Sequence, residues 1–74
     1  MAYNEFITVD PAVMVGKPVI KGTRITVELI IKKMGEGATI PELLESYPHL
    51  KEEYIYAALQ YAAAVLANEE FLVW

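Results

Sequence analysis

Ten consecutive residues do most to limit the shapes open to this chain: Gly16-Lys17-Pro18-Val19-Ile20-Lys21-Gly22-Thr23-Arg24-Ile25. Two glycines and a proline punctuate them, one type freeing φ and the other fixing it. Val19-Ile20 and Thr23-Arg24-Ile25 flank Lys21-Gly22, which reads as a tight turn between extended pieces. Lys17, Lys21 and Arg24 place three of the six basic residues within eight positions. The run predicts a rigid, locally positive turn joined to whatever follows.

Upstream, Phe6-Ile7-Thr8-Val9 is aromatic and β-branched and is bounded by Asp10-Pro11, so it reads as a short strand. Val13-Met14-Val15, closed by Gly16, is a second strand candidate. Residues 6–25 are therefore expected to form a β-ribbon. A two-stranded ribbon is weak alone and needs helices, or another copy, to pack against.

Residues 26–68 carry helical patterning. Val27, Ile30, Ile31 and Met34 recur at i, i+3, i+4 and i+7, the spacing of one buried helical face. Thr26 is placed to cap that helix, Lys32 and Lys33 suit the dipole of its last turn, and Gly35 and Gly37 end it. Thr39-Ile40-Pro41-Glu42 matches a capping box for a second helix. Its buried face is Ile40, Leu43, Leu44 and Tyr47, and Pro48 stops it. A third helix is expected over about Lys51 to Asn68. Ile55, Ala58, Leu59, Ala62 and Leu66 make its core face, with Glu53, Ala57, Gln60 and Ala64 opposite. Six alanines between 57 and 67 favour helix. They serve either a small core or a close helix–helix contact between two copies. A short helix, the joint Pro48-His49-Leu50 and a longer helix have the outline of a helix-turn-helix. Residues 69–74 are left as a C-terminal tail.

With 74 residues, this is one domain. No cysteine is present, so neither a disulfide nor a thiolate–metal site can staple so small a core. Apolar residues make up 55% of the chain, more than such a core can hide, and a homodimer is expected to cover the excess. The most apolar run, residues 54–67, is too short to cross a bilayer, and residues 1–5 do not resemble a signal peptide. A cytoplasmic protein with no membrane contact is expected.

The net charge of −4 conceals a polarity. Residues 1–35 carry five cations against three carboxylates, a net of +2, and residues 36–74 carry one lysine against seven glutamates, a net of −6. A chain with one positive end can meet a phosphate backbone that a uniformly acidic one would repel.

Catalytic groupings are missing. His49 is the sole histidine and Ser46 the sole serine, neither with a suitable neighbour in sequence. Glu42/Glu45 and Glu52/Glu53 read as solvated helix faces, and no phosphate-binding loop pattern occurs. Tyr47 and Tyr54 lie at core-facing spacing. Neither an enzyme nor a bound cofactor or metal is expected.

Asp10-Pro11, the run Gly16 to Ile25, Gly37-Ala38-Thr39, Leu43-Leu44, Tyr47-Pro48-His49-Leu50 and Ala57-Ala58-Leu59-Gln60-Tyr61-Ala62 together resemble the family catalogued as domain of unknown function 433, over about residues 7–66. That resemblance implies a mainly α, three-helix helix-turn-helix domain, winged or homeodomain-like, with an N-terminal β-ribbon and often dimeric. It also implies kinship with VapB-type antitoxins, whose partner is a PIN-like ribonuclease toxin, and it makes helix three the recognition helix. That helix offers only Lys51 and Gln60 toward a nucleic acid, beside Glu52 and Glu53. DNA contact is therefore expected from Lys17, Lys21, Arg24, Lys32 and Lys33, doubled in number by a dimer.

Two functions are expected from these features. The first is a small DNA-binding antitoxin, a transcriptional repressor of its own toxin–antitoxin operon. The second is a protein-interaction module that neutralises or assembles with a partner without binding DNA. In the second, Phe71, Leu72, Val73 and Trp74 are the partner-binding residues; the alternative for this tail is to fold back on its own core or a dimer mate.

Overall fold

The computed structural model describes residues 5–73, with the side chains of 5–67. Its elements run β1 (Ile7–Thr8), β2 (Val19–Ile20), α1 (Val27–Gly35), α2 (Ile40–Ser46) and α3 (Glu52–Val73). The architecture is mainly α, three helices carrying a two-stranded antiparallel ribbon at the N-terminus, as expected.

β1 and β2 pair with Ile7 opposite Ile20 and Thr8 opposite Val19. The Lys21 amide extends this ladder by donating to the Phe6 carbonyl at 2.8 Å. β2 also pairs on its other edge: Val19 bridges Thr26, and the Ile20 amide donates to the Ile25 carbonyl at 2.9 Å. It is thus the middle of three extended segments, and Val19 and Ile20 are each 1% exposed.

The segment Val13-Met14-Val15 is not a strand. Met14–Gly16 form a short 3-10 turn in which φ is +48°, +57° and +78° at Met14, Val15 and Gly16. For β1 to meet β2 antiparallel, the chain must reverse between them, and this segment lies in the reversal. Asp10 begins it, its carboxylate accepting from the Ala12 amide at 2.9 Å and its carbonyl from the Val13 amide at 2.8 Å. A left-handed φ suits glycine, but for a β-branched residue it costs about 1–3 kcal/mol. Val15 bears that cost while 92% exposed.

The three helices start and stop on side-chain chemistry. Thr26 caps α1, its hydroxyl accepting from the Leu29 amide at 2.9 Å. α1 ends in a Schellman arrangement: Gly37 has φ +106° and donates to the Met34 carbonyl, while Ala38 donates to the Lys33 carbonyl. Thr39 and Glu42 then form the capping box of α2. The Thr39 hydroxyl accepts from the Glu42 amide at 3.3 Å, and the Glu42 carboxylate accepts from the Thr39 amide at 2.8 Å. These bonds hold the Glu42 carboxyl below the usual glutamate range. A turn through Pro48-His49, with the Leu50 amide donating to the Tyr47 carbonyl, leads into α3.

The core gathers Ile7, Ile20, Val27, Ile30, Leu43, Leu50, Ile55, Ala57 and Ala58, with Phe6, Tyr47, Tyr54 and Tyr61 among the residues packed around it. The ring centroids of Phe6 and Tyr54 lie 5.1 Å apart, which ties the start of the ribbon to α3. Two expectations for α3 fail. Ala57, placed on the outer face by spacing, is 0% exposed, and Leu66, placed on the core face, is 58% exposed. Both follow from helix lengths. α1 and α2 rise only about 14 and 10 Å against about 33 Å for α3. They cover α3 near its start on a broad front that includes Ala57, and nothing remains to cover Leu66. The helix also passes beyond Asn68 to Val73, so residues 69–73 continue α3 and do not form a separate tail.

Candidate nucleic-acid interface

The extended segments around β2 make a hairpin whose register locates the cations. Ile20 faces Ile25, Val19 faces Thr26, and the Val27 amide donates to the Pro18 carbonyl at 3.0 Å. One further step brings Lys17 opposite Glu28. There the Lys17 ammonium lies 2.9 Å from the Glu28 carboxylate.

At the closed end, residues 21–24 form the turn. The Thr23 amide donates to the Ile20 carbonyl at 3.0 Å, and Gly22 has φ +80°, as the third position of a type II turn requires. The Thr23 hydroxyl locks it, donating to the Ile20 carbonyl at 2.8 Å and accepting from the Ile25 amide at 3.0 Å. Lys21 and Arg24 project from this fixed turn, both exposed, and neither joins an ion pair among the described residues.

The open end has a different character. A shallow groove of about 210 Å³ runs between the Met14–Lys17 segment and α1, lined by Met14, Lys17, Thr26, Glu28, Leu29 and Lys32. Glu28 sits between the two lysines. The Lys17 hydrogen bond and charge, with a smaller contribution from Lys32, hold its carboxyl below the usual glutamate range. Lys17 and Lys21 are four residues apart along an extended strand, about 13 Å.

The five expected DNA-binding cations therefore fall into sets. The fold brings Lys21 and Arg24 together at the turn, and Lys17 and Lys32 together around Glu28. Lys33 belongs to neither; it is half-buried in the last turn of α1, its carbonyl used by the helix cap. The residue that sequence reasoning overlooked is Glu28. Its spacing of four from Lys32 and its hairpin register with Lys17 both signalled it.

α3 presents Lys51, Glu52, Glu53, Tyr56 and Gln60 to solvent over its first three turns. The Lys51 ammonium lies 5.9 Å from the centre of the Tyr54 ring. Of the expected partner-binding residues, Phe71, Leu72 and Val73 lie in α3 with side chains outside the described residues, and Trp74 lies outside them altogether. His49 and Ser46 are exposed, and no cluster of three or more metal-ligating side chains occurs among the described residues. No helix among them is long and apolar enough to cross a membrane.

Comparison with known proteins agrees with this architecture. Residues 7–62 match the family described as "Protein of unknown function (DUF433)". The uncharacterized protein y4eO of Sinorhizobium fredii (strain NBRC 101917 / NGR234) is 35% identical over 63 residues, covering 85% of this chain. The chain spans only 28% of that relative's length. The crystal structure of a DUF433 member protein from Anabaena variabilis ATCC 29413 superimposes with a TM-score of 0.80 at 31% identity, over 92% of this chain and 67% of that one. With a matching core, hairpin and three-helix order, the chain belongs to the DUF433 family.

Proposed function

We propose that this protein is a small DNA-binding repressor of the antitoxin type, acting as a homodimer whose hairpin turns contact the DNA backbone. The observation that carries this reading is the placement of Lys21 and Arg24: adjacent, exposed, unpaired, and mounted on a turn locked by Thr23. Rigid cations lose little freedom on meeting phosphate, and β-ribbon readers enter DNA grooves by such an element. Glu52 and Glu53 at the start of α3 repel phosphate, so contact through the hairpin fits this chain better than insertion of α3. The partner on this reading is a PIN-like ribonuclease, held by the closing residues of α3.

The test is a salt titration of binding to DNA from upstream of the protein's own gene. Each phosphate contact contributes about 0.9 to the slope of log affinity against log salt concentration. The double variant Lys21→Ala, Arg24→Ala is expected to flatten that slope by about 2 per bound protomer and to weaken binding across sequences. Absence of binding at low salt, or a slope unchanged in the variant, refutes the proposal.

A second reading, a protein-interaction module without DNA contact, is favoured by one observation. Residues 62–67 of α3 are all apolar, and Val65 and Leu66 are 40% and 58% exposed. Deleting residues 71–74 should abolish capture of the partner on this reading, and unchanged co-purification would overturn it.

A further inference from the structure

The groove at the open end of the hairpin is left unused by the DNA reading, and the turn beside it carries an unexplained strain. Met14 and Val15 hold left-handed backbone that glycine would adopt freely, and Val15 is almost wholly exposed. Within one copy, that side chain buries almost nothing. Met14 and Leu29 supply an apolar floor to the groove, and Lys17 and Lys32 flank it.

The same chain carries a segment of matching chemistry. Tyr61 is the last α3 residue packed on the core, so α3 extends about 18 Å further, to Val73. Residues 62–67 are apolar on every side of the helix, and Glu69 and Glu70 follow with no cation in the last turn. A helix apolar all round is stable only when covered. α3 continues unbroken to Val73, with no turn to bring this stretch back over its own core.

We propose that the far half of α3, residues 62–73, docks against the Met14–Lys17 groove of a second copy, and that two copies exchange these segments reciprocally. The apolar residues cover Met14, Val15 and Leu29, while Glu69 and Glu70 meet Lys17 and Lys32. Reciprocity about a twofold axis closes the assembly as a dimer; a one-way contact would propagate into filaments. This pairing uses Lys17 and Lys32 and leaves Lys21 and Arg24 free, so it deepens the homodimer of the DNA reading and can fail separately from it.

Charge exchange between copies tests it, with molar mass read by sedimentation velocity over a range of concentrations. The wild-type chain is expected to be dimeric. Lys17→Glu with Lys32→Glu, and separately Glu69→Lys with Glu70→Lys, should each weaken self-association by tenfold or more, on the order expected for lost charge pairs. An equimolar mixture of the two variants should recover a 1:1 heterodimer through one restored exchange. Val15→Gly should raise the melting temperature of a dilute sample by relieving strain and weaken the dimer. A wild-type monomer at high micromolar concentration, charge variants that dimerise as wild type does, or a mixture that fails to associate each overturns the proposal. Circular dichroism on every variant separates loss of association from loss of fold. Unchanged DNA binding by Val15→Gly at dimer-saturating concentration would keep the two readings distinct.

Discussion

Thr26 is the residue through which the hairpin and the first helix become one object, and replacing it with valine isolates that role. Valine keeps the shape and the branching but removes the hydroxyl. In the native chain that oxygen accepts from the Leu29 amide at 2.9 Å, and Thr26 is 7% exposed and bridged to Val19. Loss of an N-cap costs about 0.5–2 kcal/mol, and a part-buried amide left without a partner costs about 1–3 kcal/mol. The two describe one bond and overlap, so the expected loss is about 1–2 kcal/mol. A domain of this size holds roughly 4–11 kcal/mol in all. The melting temperature should therefore fall by about 5–15 °C, at about 4–8 °C per kcal/mol. Thr26→Ser retains the acceptor and loses one methyl, about 0.8 kcal/mol. Melting at matched protein concentration gives the magnitude, and native-state hydrogen exchange gives the location. The Leu29 amide should lose protection in Thr26→Val and keep it in Thr26→Ser. Equal protection of Leu29 in the two variants would refute the assignment of this bond as the joint.

Other consequences follow from the same physical terms. Gly22→Ala meets no neighbour within 4 Å but must adopt φ +80°, so it should destabilise by about 1–2 kcal/mol in urea denaturation through the backbone alone. Ala57→Leu overfills a closed position and should cost about 1–3 kcal/mol, while Ala63→Leu on the exposed side should change monomer stability by less than about 0.5 kcal/mol, both read by urea denaturation. Glu28 and Glu42 titrate lower in the folded chain than an ordinary glutamate, so each binds its proton more weakly when folded. Their contributions are present above the unfolded glutamate range and are lost as pH falls through the depressed folded values. Denaturation midpoints measured from neutral pH downward should fall less steeply in Glu28→Gln and in Thr39→Ala than in wild type.

Much of this fold is local and therefore legible. Thr26, Thr39 with Glu42, and Gly37 each act within four residues, and such short-range chemistry is written directly into the chain. What spacing alone could not supply was the relative length of the helices. The period of α3 gives a face but not how far along that face its neighbours reach, which is why Ala57 is buried and Leu66 is open. The segment Val13-Met14-Val15 misled for a different reason. Its side chains favour strand, but the pairing of β1 with β2 requires a reversal there, and a tertiary demand overrode a local one. The candidate site was half visible. The Lys21–Arg24 turn follows from Gly22 and its flanks, whereas the capture of Lys17 by Glu28 needs the hairpin register, which no single stretch of sequence states.

The passage from α1 to α2 has no slack. Glu36, Gly37 and Ala38 complete one helix, and Thr39 opens the next, so every backbone amide from 36 to 39 is already engaged. Such a junction is a fixed spacer and not a pivot: adding or removing one residue would sacrifice either the left-handed glycine or the threonine–glutamate clasp. Variation in chain length is better accommodated in the reversal between Val9 and Gly16, which is where a splice or an inserted tag should be placed.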